Sequence, residues 1–327
     1  MTLTNFPNGV SSFGIPVLGG AALPFTGNYY FVDAVNGADG NEGSADSPMS
    51  TLLAAYNRCV DGNNDVIFII GDGSTAATQR LAATLTWAKD ATHLIGITAP
   101  TMIAQRARIS TATGATTNVN PLVDVTASGC LFANFSTFQG VGEAATDEQL
   151  WREKGSRNYY ANVQFGGIGS ANGAARAGSY SLLLYGASEN TFEGCTFGLD
   201  TRDRSAANAS VRLRKNASAA ASTRNVFKDC LFPMRATATT PLFIDADESG
   251  GIDRFAWFKN CLFTNFGSSA VAAVVAFHAS QGGYVIMDNC TAVACTDWTA
   301  SDTSTVQIAG PVPNGDTSGM AVASDKT

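Results

Sequence analysis

The side chains whose types could do chemistry form a row of ionisable groups at matching points of four strand-like segments. Those segments are SLLLYG, SVRLRKN, PLFIDAD and VVAFHAS, and the groups are Tyr185, Arg214, Asp245 and His278, with Arg212 and Asp247 beside them. Grouped carboxylates beside a basic residue, acting with Ca²⁺ or as an acid/base pair, would suit cleavage of a polysaccharide. This row holds too few carboxylates for that chemistry. We therefore interpret Arg214 and Asp245 as an exposed ion pair worth at most about 1 kcal/mol.

Two other polar clusters raise the same question. The loop GLDTRDRS contains Asp200 and Asp203 with two arginines, which we interpret as self-neutralising charges. The turn-rich segment before residue 47 offers oxygen ligands for Ca²⁺ from Asp33, Asn36, Asp39, Asn41 and Asp46. Their spacing is not that of an EF-hand, and Asn, Asp and Gly are also the residues that tight turns require. We expect no catalytic residue, no metal site and no cofactor.

Composition limits the classes of function. The chain has 327 residues, of which 45% are apolar, 14% are charged and 33 are glycine, a profile typical of short strands and tight turns. The net charge is -7 and no Lys/Arg cluster occurs, which disfavours binding to nucleic acid or to an anionic membrane. Neither a transmembrane run of about 18 apolar residues nor a signal peptide is expected. The two histidines, His93 and His278, disfavour a zinc site.

A repeated phrase around cysteine indicates the architecture. FEGCTF, FKDCLF and FKNCLF recur in the second half of the chain. We align the cysteines of strand-like runs and place Val163 in the cysteine position of one further copy; the aligned cysteines are Cys130, Cys195, Cys230, Cys261 and Cys290. The copies recur about every 30 residues, a period typical of solenoids. We expect buried thiols in a protein made in a reducing cytosol rather than disulfides.

Alternation within each copy predicts which side chains point inward. Two apolar rows are expected on one face, namely Leu182, Val211, Leu242 and Val275, then Leu184, Leu213, Ile244 and Phe277. Parallel coils stacked about 4.8 Å apart would produce such rows. The phenylalanines flanking each cysteine have opposite parity, so we expect a bend at Lys228–Asp229 and its equivalents. The sequence therefore predicts an all-β fold, a right-handed, single-stranded parallel β-helix.

The N-terminal segment differs from the rest of the chain. The first 32 residues contain no charged side chain and mix apolar residues with Pro and Gly. We expect an extended arm at 1–27, a β-helix body at 28–310 and a loose polar tail at 311–327. The arm either packs along its own β-helix or docks on a partner, and we favour the partner. The anchors would be Phe6, Pro7, Phe13, Ile15, Val17, Leu18 and Phe25.

Two segments are expected to depart from the coils. A capping helix at about 47–61, with Ser47 as N-cap and Pro48 as first helical residue, would cover the open end of the solenoid. The charged segment 142–157 is expected to form a short helix on a lateral loop, where Thr146 and Gln149 resemble a capping box. That segment is either a solvated insertion or a subunit contact, which would involve Leu150, Trp151 and Arg152.

Several phrases resemble those of a family of tailed-phage virion proteins associated with the head and built on a pectate-lyase-like β-helix. The phrases are TNFPNGVSSFGIPVLG, YYFVDAVNGADGNEGSADSP, TDEQLWREKGSRNYY, YSLLLYGASENTFEGCTFGLD, TRNVFKDCLF and DRFAWFKNCLF. The resemblance spans nearly the whole chain, and its N-terminal phrase is the most specific part.

The resemblance implies a structural protein on the capsid exterior, made in the host cytoplasm and attached to the virion as a decoration or cement protein. It implies the major capsid protein as partner and a homotrimer as assembly. On this reading the protein is not an enzyme. The alternatives are a spike-like protein that binds or degrades glycans and a host-surface adhesin module, since a fold does not fix a function.

Overall fold

The computed structural model describes residues 27–142, 146–299 and 305–309, together with the backbone of residues 10–12, 15–17 and 322–323. The chain winds into a right-handed parallel β-helix of about 8 turns, as the sequence predicts. The predicted arm and tail lie almost wholly outside the described residues, so those two assignments stay predictions.

The strands and helices are short. In chain order they are β1 (Val10–Ser12), β2 (Ile15–Val17), β3 (Tyr29–Val32), α1 (Leu52–Arg58), β4 (Val66–Ile70), β5 (Gln79–Leu81), β6 (Leu85–Trp87), β7 (His93–Ile97), β8 (Arg108–Thr111), β9 (Val123–Val125), β10 (Leu131–Ala133), β11 (Ser136–Phe138), β12 (Gln149–Glu153), β13 (Tyr159–Ala161), β14 (Gln164–Gly166), α2 (Ala171–Ala174), β15 (Tyr180–Tyr185), β16 (Thr191–Glu193), β17 (Thr196–Phe197), β18 (Asp203–Arg204), β19 (Ala209–Arg214), β20 (Ser222–Lys228), β21 (Leu231–Ala236), β22 (Leu242–Ala246), β23 (Ile252–Lys259), β24 (Leu262–Asn265), β25 (Val271–Phe277), β26 (Gly282–Asp288), β27 (Thr291–Val293), β28 (Cys295–Thr299), β29 (Val306–Ala309) and β30 (Val322–Ala323). Neither of these two helices is long and apolar enough to cross a membrane.

Each full coil contributes one strand to each of three sheets. Sheet 1 has the order β3-β4-β7-β10-β13-β16-β20-β23-β26-β29-β30, sheet 2 the order β27-β24-β21-β17-β14-β11-β8-β5 with β18 beside β21, and sheet 3 the order β28-β25-β22-β19-β15-β12-β9-β6. Strands of successive coils pair in parallel, whereas β1–β2 and β29–β30 pair antiparallel.

The corner between sheets 1 and 2 is a single residue in the left-handed region. These corner residues are Asn134, Asn162, Gly194, Asp229, Asn260 and Asn289, with φ between 51° and 60°. Glycine adopts this conformation freely, and Asn and Asp tolerate it better than other residues. Asn260 Nδ2 donates to Asp229 Oδ1 at 2.9 Å, so the corners also bond to one another. The predicted bend at Lys228–Asp229 is therefore present.

The interior contains two columns of aromatic rings. Phe132, Tyr160, Phe192, Phe227 and Phe258 stack in register with centroids 4.5 to 4.7 Å apart. Phe165, Phe197, Phe232 and Phe263 form the second column at 4.4 to 5.0 Å. All of these rings are fully buried. Together the columns link most of the coils through one continuous core.

The predicted cysteine ladder is correct except for its first member. Cys130 lies two residues before Phe132, where later coils have asparagine, and Phe135 takes the cysteine position of that coil. The true ladder runs from Val163 through Cys195, Cys230, Cys261 and Cys290. Each of these thiols contacts a carbonyl of the preceding coil; Cys230 Sγ, for example, lies 3.4 Å from Phe192 O. The thiol at this position is therefore a weak hydrogen-bond donor to the preceding coil, whereas the sequence analysis expected a side chain without a hydrogen-bond partner.

A buried asparagine ladder lies beside the aromatic columns. Asn158, Asn190 and Asn225 each donate Nδ2 to a carbonyl, those of Ala127, Gly155 and Ala187, at 2.8 to 3.2 Å. The Oδ1 atoms of Asn158 and Asn190 accept the backbone N–H of Cys130 and Asn158. Cys130 occupies the next position of this ladder, which is why its spacing misled the alignment.

The apolar rows of sheet 3 face inward as predicted, but β22 is shifted by two residues from the predicted register. Ile244 pairs with Val211 and Val275, whereas Leu242 pairs with Ala209. The shift preserves the alternation of sides because the side-chain period of a strand is two.

Helix α1 begins later than predicted. Met49 N donates to Phe31 O at 2.9 Å, so the chain around Pro48 is extended alongside β3 instead of helical. Thr51 is the N-cap, and its side chain accepts Ala54 N at 3.2 Å. Leu52 N donates to Gln79 Oε1 at 2.8 Å, which fixes the helix over the first strand of sheet 2.

The segment predicted as a lateral helix contains a strand of the body. Strand β12 pairs with β9 and β15, and Leu150 and Trp151 are fully buried inside the coil. These two side chains are core residues and offer no surface to a neighbouring subunit. Tertiary pairing therefore overrides the capping-box signal at Thr146 and Gln149.

Candidate functional site

An open groove of about 590 Å³ runs along the outer face of sheet 2. Its lining residues come from β5 to β21, so at about 4.8 Å per strand the groove is about 24 Å long. The strands form the floor, and the segments that leave them form the walls. The groove therefore suits an extended ligand.

Two outward rows of side chains build the floor. Register places Arg108, Ser136 and Gln164 in the first row, which Thr196 continues beneath the segment 98–107 and outside the groove lining, and Arg80, Ser110, Phe138 and Gly166 in the second. The hydroxyl and amide groups of the floor are largely buried between the walls, whereas Arg80 and Phe138 are exposed. The floor thus combines polar groups with a single accessible aromatic ring.

Phe138 is held at the centre of the groove by glycines. Its side chain is 39% exposed, which is high for a phenylalanine of a sheet. A Cβ at Gly140 or Gly169 would lie 2.8 or 2.5 Å from Phe138 Cζ, so only glycine leaves room for the ring there. The position of the ring therefore depends on the absence of side chains at these two glycines.

The segment 98–107, which we call the wall loop, forms one side of the groove. It connects β7 to β8 and crosses over later coils, where two side chains of those coils bond to its backbone and one of its own side chains bonds to theirs. Thr196 Oγ1 donates to Met102 O at 2.9 Å, Gln164 Oε1 accepts Ala104 N at 2.7 Å, and Gln105 Nε2 donates to Asn162 O at 2.6 Å. The exposed Ile103 side chain lines the groove from this loop.

The charged residues that line the groove lie at opposite ends. Arg80 Nη1 donates to Thr111 O at 3.2 Å, and Arg108 Nη2 donates to Ser74 O. Burial and the positive charges of Arg106 and Arg80 lower the pKa of Arg108. Asp200 contributes the one carboxylate of the lining. The groove therefore has a cationic end and an anionic end, without a pair of carboxylates in its lining.

The ionisable row predicted from the sequence lies on the outer face of sheet 3. Asp245 is within 3.1 Å of Arg212 Nε and 2.6 Å of Arg214 Nη2, and the residue is only 6% exposed. The predicted exposed pair is thus a shielded three-residue cluster. His278 lies in the next coil, two residues beyond Ala276, which pairs with Asp245, and its Nδ1 accepts Ser280 N at 3.0 Å.

The sequence analysis did not predict a second cluster of the same kind. Asp124 accepts hydrogen bonds from Arg152 Nη2 at 2.7 Å and Lys154 Nζ at 2.9 Å, and these contacts hold its pKa low against the effect of burial. Arg152, predicted as a subunit contact, is therefore engaged within its own chain. Both clusters place one carboxylate between two cations, so neither leaves a carboxylate free for acid or base work.

Comparison with solved structures identifies the architecture. The chain is similar to pectate lyase Pel9A, with a TM-score of 0.59 and 15% identity over 90% of this chain and 72% of that chain. It is similar to the pectin methylesterase from Aspergillus niger, with a TM-score of 0.50 and 12% identity over 88% of this chain and 81% of that one. The fold is that of a pectate-lyase-like β-helix.

A further similar structure is ORF18 of Geobacillus virus E2, with a TM-score of 0.49 and 13% identity over 80% of this chain and 53% of that chain. The sequence itself matches no protein-family model and none of the curated proteins compared with it.

The likeness to a lyase and an esterase corrects one prediction. The sequence predicted that the protein is not an enzyme, and the structures it matches are those of enzymes. That prediction was wrong; it relied on the uncharged arm, the sparse carboxylates and the resemblance to structural virion proteins. At 15% and 12% identity the matches establish the fold and leave the choice of reaction open.

The remaining sequence candidates are engaged in structural contacts. Asp203 pairs with Arg235 of the next coil at 2.7 Å, so the charges of the GLDTRDRS loop are not neutralised within it. Asp39 Oδ1 accepts Thr51 N at 2.8 Å and so supports the start of α1. Asp33 Oδ1 accepts Val35 N at 2.8 Å within its turn. Over the described part of the chain, no three His, Cys, Asp or Glu side chains are grouped to hold a metal ion.

The predicted arm anchors are not placed. Phe6, Pro7, Phe13, Leu18 and Phe25 lie outside the described residues, and only the backbone of Ile15 and Val17 is described, in β2. Their role in docking stays a prediction.

The sequence analysis did not predict the groove, although one feature of the sequence indicated it. Phe132-Ala133-Asn134 and Tyr160-Ala161-Asn162 are matching Ala-Asn corners in adjacent coils. Alignment on these corners, instead of on Cys130, assigns Phe138 to an outward position. An exposed aromatic residue among serines and threonines would then have been a candidate site.

Proposed function

We propose that this chain is a surface protein of a tailed-phage virion and that its groove binds a polysaccharide. The polysaccharide part of the proposal depends on Phe138. An accessible aromatic ring set among hydroxyl and amide groups matches the amphipathic character of a sugar, which presents C–H groups on its faces and hydroxyl groups at its edges. The length of the groove suits several sugar residues in a row.

The virion part of the proposal is supported by the sequence resemblance and the uncharged arm. An apolar segment of this length is suited to inserting side chains into pockets of another protein. We propose the major capsid protein as that partner and a homotrimer as the assembled form. The body would then project from the capsid exterior with its groove open to solvent.

The groove is tested by replacing its aromatic ring. Phe138→Ala should weaken binding to bacterial surface polysaccharides by about five- to ten-fold, since a well-placed aromatic contact contributes about 1 to 1.4 kcal/mol. Tyr284→Ala is the matched control, because Tyr284 is 51% exposed on sheet 1, away from the groove. Isothermal titration calorimetry with a panel of purified polysaccharides measures both variants. Equal binding by wild type and Phe138→Ala would refute the assignment of this groove.

The same samples should be assayed for cleavage. Shorter products from the wild type would extend the proposal from binding to catalysis in the groove. In that case Asp200→Asn, which removes the carboxylate of the lining, is the first variant to compare.

A further inference from the structure

We propose that the end of the groove formed by Arg80 and Arg108 is a subsite for the acidic group of the ligand. The inference rests on the proposed function and names its substrate class as an acidic polysaccharide, one that carries carboxylate, sulfate or phosphate groups. The chemistry shared by these groups is a negative charge with two or more acceptor oxygens.

The two arginines open into the groove from neighbouring strands. Arg80 lies opposite Ser110 in the second floor row, and Arg108 occupies the first row one strand along. Arg106 precedes Arg108 by two residues and is exposed close by. Arg80 and Arg108 therefore line one end of the groove, and Arg106 lies outside the lining but close enough to act electrostatically on Arg108.

These three cations outnumber the carboxylates near them. Among the residues that the structure describes, Arg80, Arg106 and Arg108 make no ion pair, whereas the arginines on the face of sheet 3 are neutralised by Asp124 and Asp245. Asp72 is the nearby negative charge: it raises the pKa of Arg108, and its carboxylate also accepts Ser74 N at 2.7 Å. One carboxylate offsets only part of three positive charges, and a bound anion relieves the repulsion that remains.

The hydrogen-bonding state of Arg108 supports the same conclusion. Its Nη2 is bonded to Ser74 O, whereas its Nη1 has no hydrogen-bond partner among the residues that the structure describes. A guanidinium with a free Nη group can donate to an anion in the groove. A carboxylate, sulfate or phosphate can bridge the nitrogens of a guanidinium through two oxygens.

The charge of the whole chain makes this end selective. The net charge of -7 repels an acidic polymer from most of the surface, and Asp200 does so at the far end of the groove. An acidic sugar would therefore bind with its charged group at the arginines and its neutral neighbours over Phe138. The subsite fixes the direction of the ligand as well as its class.

Two polymers of matched length test the inference. Polygalacturonate should bind at least ten-fold more tightly than neutral dextran at low salt, and the preference should shrink as salt is added. The double variant Arg80→Gln/Arg108→Gln should lose the preference. Arg235→Gln is the control, because Arg235 is an exposed cation of sheet 2 outside the groove lining. Arg80→Gln alone alters only an exposed side chain, and so provides a second variant that keeps its fold.

The outcomes separate this inference from the proposed function. Equal affinity for the two polymers, or a preference retained by the double variant, overturns the acidic subsite while the groove assignment stands. Failure of every polysaccharide to bind overturns the proposed function. In that case, binding of inorganic sulfate tests the arginines separately from the polysaccharide. Sulfate binding that disappears in the double variant supports the anion site, and no sulfate binding by the wild type overturns it.

Discussion

At the scale of single residues, the interior contains an acid that its surroundings keep protonated. Glu153 is fully buried, and its Oε1 accepts Gly155 N at 2.6 Å and Asn158 Nδ2 at 3.1 Å. Its Oε2 is hydrogen-bonded to the Tyr160 hydroxyl. Burial raises the pKa of Glu153 from 4.5 to about 8, despite these bonds. At neutral pH the group is therefore a neutral member of the core.

This residue should make the stability of the fold depend on pH. Because the folded-state pKa is raised, the folded protein binds the proton more tightly than the unfolded chain does. The resulting stabilisation is complete below pH 4.5 and is lost as pH rises to about 8. The free energy of unfolding of the wild type should fall by about 3 to 5 kcal/mol between those limits, at about 1.4 kcal/mol per pK unit. Glu153→Gln, whose amide resembles the protonated acid, should not show this fall.

Urea denaturation at pH 5 and pH 8 measures the effect. Glu193→Gln is the control, because hydrogen bonds from Lys228 and Tyr159 lower the pKa of Glu193 and keep it charged throughout this range. A Glu153→Gln variant that retains the full pH dependence of the wild type would contradict the account.

At the scale of elements, the aromatic columns hold adjacent coils together. Phe227 stacks on Phe192 at 4.7 Å and on Phe258 at 4.5 Å, and it also meets Phe232 of the second column. One ring therefore joins three coils and two columns. Because close-packed interiors adjust little, removal of this ring leaves a cavity.

Phe227→Ala should lower the free energy of unfolding by about 3 to 5 kcal/mol. Phe266→Ala, which truncates a ring that is 63% exposed, should change it by less than about 0.5 kcal/mol. Guanidinium denaturation followed by circular dichroism compares the two. Equal small losses would show that the columns do not support the fold.

Elements that repeat along the chain could be predicted from the sequence. Features that depend on contacts between coils could not. The phrases around Phe192, Phe227 and Phe258 indicated inward rows because their spacing is shared. Cys130 broke the pattern, since a cysteine can replace asparagine at the end of the buried ladder. The start of α1 depends on pairing of Met49 with β3, which local helix signals do not contain.

At the scale of the whole molecule, three outer faces have different characters. Sheet 2 carries the groove, sheet 3 carries cations neutralised by Asp124 and Asp245, and sheet 1 begins with β3 at Tyr29. The solenoid class followed from periodicity alone. The groove did not, because Arg80, Phe138 and Asp200 are far apart in the sequence and become neighbours only through the winding.

A cryo-EM map of the intact virion, at a resolution that traces side chains, tests the proposed role as a whole. The account predicts the β-helix on the capsid exterior, density for residues 1–27 against the major capsid protein, and the groove of sheet 2 facing solvent. Absence of the protein from the head, or a groove buried against the capsid with Phe138 inaccessible, would contradict it.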